Sequence, residues 1–254
     1  MIYQLDNVSL GYDSSTVLQN ISLQIEPNSF YAVMGPNGSG KSTLLRCLAR
    51  LISPSAGSVS LNGKPIAGYS YKALAQQVSL VPQHVDIDVE FSAYQLVMMA
   101  RHAYLRPLHD EGPEDLAIVE QSMRQTGVWD LRDKHLAQMS GGERARVLIA
   151  RALAQQTPII LLDEPLANLD VAHQFDILQL LQQIHIQQHK TIMLVVHNLN
   201  LALTYCPQLI LLYNHQVHYQ GATCEGLTSQ RIAQVFNIEA NVTPHFIEMH
   251  PLRK

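Results

Sequence analysis

The sequence predicts an α/β fold in which a phosphate-binding loop joins a buried strand to a helix. Residues 35–43 read Gly-Pro-Asn-Gly-Ser-Gly-Lys-Ser-Thr and match the pattern G-x-x-x-x-G-K-[ST]. The apolar run at 30–34 precedes this loop, and leucines follow it at helical spacing as far as Leu51. Continuous apolar runs at 158–162 and 191–196 are typical of parallel strands that are buried on both faces.

The loop carries the groups that bind the phosphates of a nucleotide. Its glycines let the backbone turn tightly, so that successive N–H groups point inward, where the positive end of the following helix also attracts phosphate. Lys41 would reach the β- and γ-phosphates, and the Ser42 hydroxyl would bind Mg²⁺. A glycine-rich turn without a ligand is the alternative interpretation. The predicted ATP-binding residues of the loop are Gly35, Pro36, Asn37, Gly38, Ser39, Gly40, Lys41, Ser42 and Thr43.

Two carboxylates, Asp163 and Glu164, follow the buried run at 158–162. Ligands of open α/β sheets bind at the carboxyl ends of the strands, so we expect both side chains to lie at the ligand site. Asp163 would hold the shell of Mg²⁺ through water, and Glu164 would orient and activate the attacking water. Phosphoryl transfer depends mostly on positioning and charge stabilisation. A phosphate-binding loop, Mg²⁺ and one such carboxylate are therefore a sufficient minimal set of groups for phosphoryl transfer.

A second serine–glycine turn lies far from the first in sequence. Residues 139–143 read Met-Ser-Gly-Gly-Glu and precede an amphipathic helix that contains Arg144, Arg146 and Arg151. Backbone N–H groups at a helix N-terminus attract anions. This turn is therefore predicted to be a second anion site.

The N-terminal residues 2–30 predict an antiparallel sheet, because Ile21, Leu23 and Ile25 alternate with polar residues at a period of two. The pair Asn62-Gly63 marks a tight hairpin turn that completes this sheet. Tyr12 lies in a loop between two predicted strands. We place its ring against the adenine by stacking, with core packing as the alternative for a single tyrosine.

The pattern is helical from residue 85 to residue 155, which predicts a helical subdomain inserted into an α/β core. The core, with its small antiparallel sheet, would comprise residues 1–84 and 156–254, and residues 1–254 would form a single domain. A helix at 171–188, a small helix around 228–236 and a polar tail are expected in its second part.

Composition excludes several classes of protein. The net charge of −4 and the absence of a long charge run give no basic surface for nucleic acid, so no nucleic-acid partner is expected. The three cysteines are scattered without metal-type spacing, which predicts a reducing compartment rather than a disulfide framework. The N-terminus is unlike a signal peptide, and no window of 18 apolar residues occurs, so we expect a chain that does not cross a membrane.

The motifs together resemble those of the ATP-binding subunits of ABC transporters, over essentially the whole chain. They occur in the family's order: Gly35 to Ser42, Gln83, Ser140-Gly141-Gly142, Asp163-Glu164-Pro165, Leu169-Asp170 and His197. The resemblance implies the ABC ATPase type of α/β fold. In this fold, a P-loop NTPase (RecA-like) core carries a small antiparallel β subdomain and an inserted α-helical subdomain.

The resemblance also implies catalytic roles for single residues. Gln83 resembles the glutamine that contacts Mg²⁺ and senses the membrane partner, and His197 resembles the histidine that contacts the γ-phosphate. The implied catalytic residues are then Glu164, His197 and Gln83. The implied Mg²⁺ site comprises Ser42, Gln83 and Asp163.

A head-to-tail homodimer is the assembly that the resemblance implies. The signature turn of one chain, Ser140, Gly141, Gly142 and Glu143, would cover the ATP that Lys41 of the other chain holds. Leu169 and Asp170 would belong to a loop at the dimer interface. This arrangement explains why one chain has two anion-binding turns, since a single nucleotide needs only the first.

The chain departs from the family pattern at several positions. Met139 and Glu143 replace Leu and Gln, and Ala167 replaces a serine of the loop before Leu169-Asp170. Ala100 and Ala103 replace a glycine and a proline that importers of iron-siderophore, haem or cobalamin type would have there.

The predicted function is ATP hydrolysis that powers import of such a metal chelate through a separate polytopic permease dimer. A substrate-binding protein would be an indirect partner, and the chain would be peripheral on the cytoplasmic face of the inner membrane. Residues 85–110 would contact the permease. The alternatives are a zinc or manganese importer ATPase, a soluble ABC ATPase that acts on the ribosome or DNA, and a regulatory module that binds ATP without hydrolysing it.

Overall fold

The computed structural model describes residues 1–12, 15–83, 91–105 and 109–251. Its strands are β1 (Tyr3–Tyr12), β2 (Ser15–Ile25), β3 (Phe30–Met34), β4 (Ala56–Leu61), β5 (Lys64–Pro65), β6 (Val78–Val81), β7 (Ile159–Leu162), β8 (Thr191–Val195), β9 (Gln208–Tyr213), β10 (Gln216–Ala222), β11 (Ile238–Val242) and β12 (Ile247–Pro251). Its α-helices are α1 (Lys41–Leu48), α2 (Tyr71–Ala75), α3 (Ala93–Met98), α4 (Pro113–Gln125), α5 (Gly141–Ala154), α6 (Val171–Gln188), α7 (Leu199–Tyr205), α8 (Thr223–Gly226) and α9 (Ser229–Phe236).

A six-stranded sheet in the order β10-β9-β3-β8-β7-β6 forms the centre of the molecule. Its pairs are parallel except for β10, which runs antiparallel to β9. The strand β3 is buried throughout, and its side chains alternate between two cores. Ala32 and Met34 belong to the core on the helical side, whereas Tyr31 and Val33 belong to the core on the other side. The predicted α/β class is therefore confirmed.

The second core lies between this sheet and a four-stranded antiparallel sheet of order β2-β1-β4-β5. The predicted hairpin turn joins β4 to β5, with Asn62 at φ 50° and Gly63 at φ 72°. Two successive residues with positive φ are characteristic of the type I′ turn, whose twist matches that of the strands.

Glutamine side chains join the two sheets at the edge strand β10. The amide of Gln220 donates a hydrogen bond to the carbonyl oxygen of Gln24, and its side-chain oxygen accepts one from the Gln24 N–H at 3.4 Å. The Gln19 N–H also donates to the carbonyl oxygen of His215 at 2.8 Å. A side-chain amide thus replaces part of a strand pairing between β2 and β10.

The helices α3, α4 and α5 follow β6, precede β7 and pack on the helical-side core. Ala100 is buried there, so its methyl group occupies core space that a glycine would leave empty. The division of the chain at residues 84 and 156 stays a prediction. Of the segment 85–110 predicted to contact a permease, residues 85–90 and 106–108 lie outside the described residues, as does His84.

Three expectations were wrong. Tyr12 does not lie in a loop, because it is the last residue of β1 and pairs with Ser15 of β2. The C-terminal region is not a polar tail, because β11 and β12 form an antiparallel hairpin that buries Ile247 completely. Leu51 does not continue the apolar face of α1 and is 65 % exposed. The helix ends at Leu48, and Arg50 has a left-handed backbone with φ 55°, which turns the chain before Leu51.

No helix in the described ranges is both long enough and apolar enough to span a bilayer.

Candidate nucleotide-binding site

Three neighbouring parallel strands each deliver a polar side chain two residues beyond their ends. Gln83 follows β6, Glu164 follows β7 and His197 follows β8. The strand register aligns Val81 with Leu162, and Leu162 with Leu194. The three side chains therefore meet at one edge of the sheet.

Both carboxylate oxygens of Glu164 have a partner from a neighbouring strand end. The Gln83 side-chain amide donates to Oε2 at 2.7 Å, and His197 Nε2 lies 2.8 Å from Oε1. The backbone of Glu164 is left-handed, with φ 52°. Such a conformation costs a non-glycine residue about 1–3 kcal/mol and persists only where its surroundings impose it. The orientation of this carboxylate is therefore tightly determined.

The loop after β3 requires glycine at two positions for lack of space. A Cβ at Gly35 would lie 2.3 Å from the carbonyl oxygen of Leu212, and one at Gly40 would lie 2.7 Å from Cγ of Leu18. Gly40 also has φ 96°, a region that L side chains avoid. The loop is thus packed against β2 and β9, and α1 begins directly after it at Lys41.

Lys41 is buried, with 5 % of its surface exposed. Its ammonium donates to the carbonyl oxygens of Gly35 at 3.0 Å and Pro36 at 2.9 Å. Burial lowers the pKa of Lys41, and the nearby Glu164 and Asp163 carboxylates oppose that shift. An ammonium has three donors, so one proton remains for a ligand such as a phosphate oxygen.

Ser42 and Asp163 form a partly buried contact beside Lys41. The Ser42 hydroxyl donates to Asp163 Oδ1 at 2.7 Å, and Asp163 is only 3 % exposed. Burial raises the pKa of Asp163, whereas the bond from Ser42 lowers it and the charge of Glu164 raises it further. Because the Ser42 hydroxyl uses its hydrogen in this bond, its oxygen lone pairs stay available to a hard cation, which prefers oxygen ligands. The pair therefore fits Mg²⁺.

An open cleft of about 530 Å³ lies over these groups. It is lined by Val17, Asn37, Gly38, Gly40, Lys41, Ser42, Thr43, Gln83 and Glu164. Ser39 Oγ is buried in the loop without a hydrogen-bond partner in the described part of the chain, so this loop has unused polar capacity. Val17 was not predicted from the sequence to line the cleft, although its position shortly after Tyr12 could have indicated it.

Tyr12 is not among the residues that line this cleft. It is 40 % exposed, and its hydroxyl accepts a hydrogen bond from Arg46 of α1 at 3.4 Å. The ring is thus connected to the helix that follows the phosphate loop, and its stacking on adenine stays a prediction.

The signature turn caps the N-terminus of α5. Ser140 Oγ accepts from the Glu143 N–H at 3.2 Å, and Glu143 Oε2 accepts from the Ser140 N–H at 2.8 Å. A Cβ on Gly142 would lie 2.5 Å from the ring of His173, so this turn packs closely on α6. Met139 is buried just before the turn, where it conserves the apolar character of the usual leucine.

The loop at 167–170 lies between the signature turn and Glu164. Asp170 caps α6 by accepting from the His173 N–H at 2.9 Å, and a Cβ on Gly141 would touch Leu169 at 3.1 Å. Ala167 is exposed at this loop. A groove of about 210 Å³ runs from Gly141 past Leu169 to Glu164, while residues 140–143 are absent from the described lining of the nucleotide cleft.

Comparison with known proteins decides the family. The sequence profile described as "ABC transporter" matches residues 18–167. The chain belongs to the ABC transporter family. As an ABC ATP-binding protein it binds ATP and hydrolyses it to power transport. Its predicted ABC ATPase fold is thereby confirmed.

Relatives in this family cover nearly the whole chain. The achromobactin transport ATP-binding protein CbrD of Dickeya dadantii (strain 3937) is 39 % identical over 93 % of this chain and 88 % of its own length. The ferric enterobactin transport ATP-binding protein FepC of Escherichia coli (strain K12) is 36 % identical over 97 % of this chain and 91 % of its own.

Solved ABC structures share the fold. One is a chain of an inward-facing transporter assigned to the metal-chelate type, with a TM-score of 0.84 and 26 % identity over 100 % of this chain and 98 % of its own. Another is an ATP-binding cassette bound to ADP and phosphate in a dimeric post-hydrolysis state. Its TM-score is 0.77, with 27 % identity over 87 % of this chain and 99 % of its own.

Proposed function

We propose that this ABC ATPase powers import of a metal chelate, of iron-siderophore, haem or cobalamin type, through a separate membrane permease. The relatives that transport achromobactin and ferric enterobactin support this substrate class. The observation that carries the catalytic part is the Glu164 carboxylate, which Gln83 and His197 hold at 2.7 and 2.8 Å beside Lys41 and Ser42.

In the proposed mechanism, the loop N–H groups and Lys41 bind the phosphates, and Tyr12 stacks on the adenine. Ser42, Asp163 and Gln83 would hold Mg²⁺. The bound ion would neutralise charge that develops on the phosphates. Glu164 orients the attacking water, and His197 contacts the γ-phosphate while it fixes the Glu164 carboxylate. The strained backbone of Glu164 keeps this carboxylate in place without reorganisation during the reaction.

We further propose that two chains act as a head-to-tail homodimer. The signature turn lies outside the lining of its own nucleotide cleft, so its free donors are available to a nucleotide on a second copy. Ser140, Gly141, Gly142 and Glu143 of one chain would cover the ATP on the other, with Leu169 and Asp170 at the interface. The dimeric relative bound to ADP and phosphate supports this assembly.

The remaining partners follow from the transporter family. A polytopic permease dimer would contact the segment 85–110, and a substrate-binding protein would act through that permease. The chain would lie peripherally on the cytoplasmic face of the inner membrane.

Replacing the water-directing carboxylate tests the catalytic proposal. Glu164→Gln keeps the size of the side chain and removes its charge. We expect ATP binding to persist, a MgATP-bound dimer to accumulate, and turnover to fall by about 10²–10⁴-fold, the usual contribution of a general base. Steady-state phosphate release and light scattering with MgATP measure these effects.

Glu120→Gln is the matched control, because Glu120 has an exposed carboxylate whose ion-pair partner in the described part of the chain is Arg124 on α4. It should turn over ATP like the parent chain. Wild-type turnover of Glu164→Gln would refute the role of Glu164. Uptake of a radiolabelled ferric siderophore, lost in cells that lack this chain and restored by it, would test the substrate class.

A further inference from the structure

The Glu143 carboxylate in the signature turn has two donors on one oxygen. Glu143 Oε2 accepts from the Ser140 N–H at 2.8 Å and from Lys134 Nζ at 3.0 Å. Both side chains of the ion pair are about one-third exposed. The lysine therefore participates directly in the contact that shapes the turn.

Charge gives this pair a role beyond capping. A carboxylate in the first turn of α5 suits the helix dipole, yet it lies beside the backbone donors that a triphosphate would use. Without compensation it would repel the triphosphate. Where the family usually has a neutral glutamine, this chain has a glutamate, and Lys134 supplies the positive charge that offsets it.

The backbone of Lys134 is itself fixed by α3. The Lys134 carbonyl oxygen accepts from the Ala93 N–H at 3.0 Å, and the Arg132 carbonyl oxygen accepts from the Tyr94 N–H at 2.9 Å. Ser92, which caps α3, pairs with His135 in an isolated β-bridge. The backbone that carries the Lys134 side chain is thus anchored to α3.

We infer that Lys134 is a positioning residue that neutralises Glu143 and holds the Ser140 turn in the geometry needed to bind the triphosphate on a second copy of the chain. The inference rests on the proposed function, since it assigns the signature turn to the nucleotide of the partner. It also links the first turn of α3 to that nucleotide through a single ion pair.

The test uses the full chain in the Glu164→Gln background, where MgATP should accumulate the dimer. Lys134→Met keeps the length of the side chain and removes its charge. We expect the dimer dissociation constant to rise roughly two- to fivefold, as for loss of one partly exposed charge partner. The rise should shrink at high salt, where exposed charges are screened. Sedimentation equilibrium with MgATP measures both.

Adding Glu143→Gln to Lys134→Met is the decisive step. Glutamine still accepts from the Ser140 N–H but carries no charge, so the double variant should dimerise like the parent. Glu120→Gln, which weakens the exposed pair of Glu120 with Arg124 on α4, is the control and should leave dimerisation unchanged. Affinity of the monomer for a fluorescent ATP analogue should be equal in all variants, which verifies that each is folded.

Two results would overturn the inference. Parent-like dimerisation of Lys134→Met would show that the lysine has no role. A weak dimer that Glu143→Gln fails to rescue would show that the lysine supports the fold rather than offsets the charge. A parent Glu164→Gln chain that binds ATP and stays monomeric would instead refute the proposed dimer, and the inference with it.

Discussion

The two turns proposed to bind phosphate are built in opposite ways. The loop before α1 is packed against β2 and β9, and both Lys41 and the neighbouring Asp163, which follows β7, are nearly inaccessible to solvent. The signature turn is exposed at Ser140 and is shaped by a capping box and an ion pair that is about one-third exposed. The first site is complete within one chain, whereas the second offers donors to a ligand from outside. Substitutions should therefore separate nucleotide affinity from dimer-dependent turnover.

The largest effect expected on affinity follows from Lys41→Ala. It removes a buried cation that we assign to the phosphates, and hydrogen bonds to charged groups are worth about 1.5–3 kcal/mol. ATP affinity should fall roughly tenfold to a hundredfold in the monomer. Titration with a fluorescent ATP analogue measures this loss. If affinity for nucleotide is unchanged, the loop is not the phosphate site.

Gly142→Ala should show the opposite pattern. Alanine favours a helix over glycine by about 1 kcal/mol, but here its Cβ would overlap the ring of His173 at 2.5 Å. His173 is tied to Asp170 at 2.8 Å, so α5 and the 167–170 loop must shift apart. We expect ATP affinity of the monomer to persist and turnover to fall roughly tenfold, because misplaced contacts of this size cost one to two orders of magnitude.

Gly112→Ala is the control for this substitution, since a Cβ at this position before α4 would approach Asp115 Oδ2 no closer than 4.0 Å, an ordinary contact distance. Its turnover should match the parent. Equal losses in both variants would mean that any change to a helix start slows the enzyme, and the contrast between the two turns would disappear.

The smallest effect is expected from Tyr12→Ala. Base stacking is worth about 1–3 kcal/mol per ring, and Tyr12 is exposed, so ATP affinity should fall about fivefold, near the lower limit. Affinity for inorganic triphosphate, which has no base, should not change. Tyr12→Phe keeps the ring and should bind ATP normally. A parallel loss for both ligands would assign Tyr12 to the support of α1 through Arg46.

Much of the fold could be predicted, because buried parallel strands read as apolar runs and the antiparallel strands alternate. The hairpin β11–β12 escaped prediction, since its strands bury few side chains, among them Ala240 and Ile247, and leave too weak an alternation. Likewise, the end of α1 depends on the left-handed backbone at Arg50, which has no glycine to signal it.

Some residues of the candidate site could be predicted from local sequence patterns, and others could not. The motif placed Lys41 and Ser42, and the end of a buried strand placed Asp163 and Glu164. Gln83 and His197 came from the family resemblance alone, because their approach to Glu164 depends on the order β8-β7-β6. Strand order is a long-range property that no local pattern contains. Lys134 and Glu143 are only nine residues apart, but the segment 132–135 that carries the lysine is bonded to the distant helix α3.

The Gln220 amide on β10 also affects how this protein behaves at high concentration. An exposed edge strand offers unpaired N–H and C=O groups that can pair with strands of other molecules and cause aggregation. Here the side chain of Gln220 satisfies the peptide of Gln24, and the four-stranded sheet occupies the space where a foreign strand would add. The central sheet is therefore shielded on that border by its own chain, which protects the protein from associating through its strands.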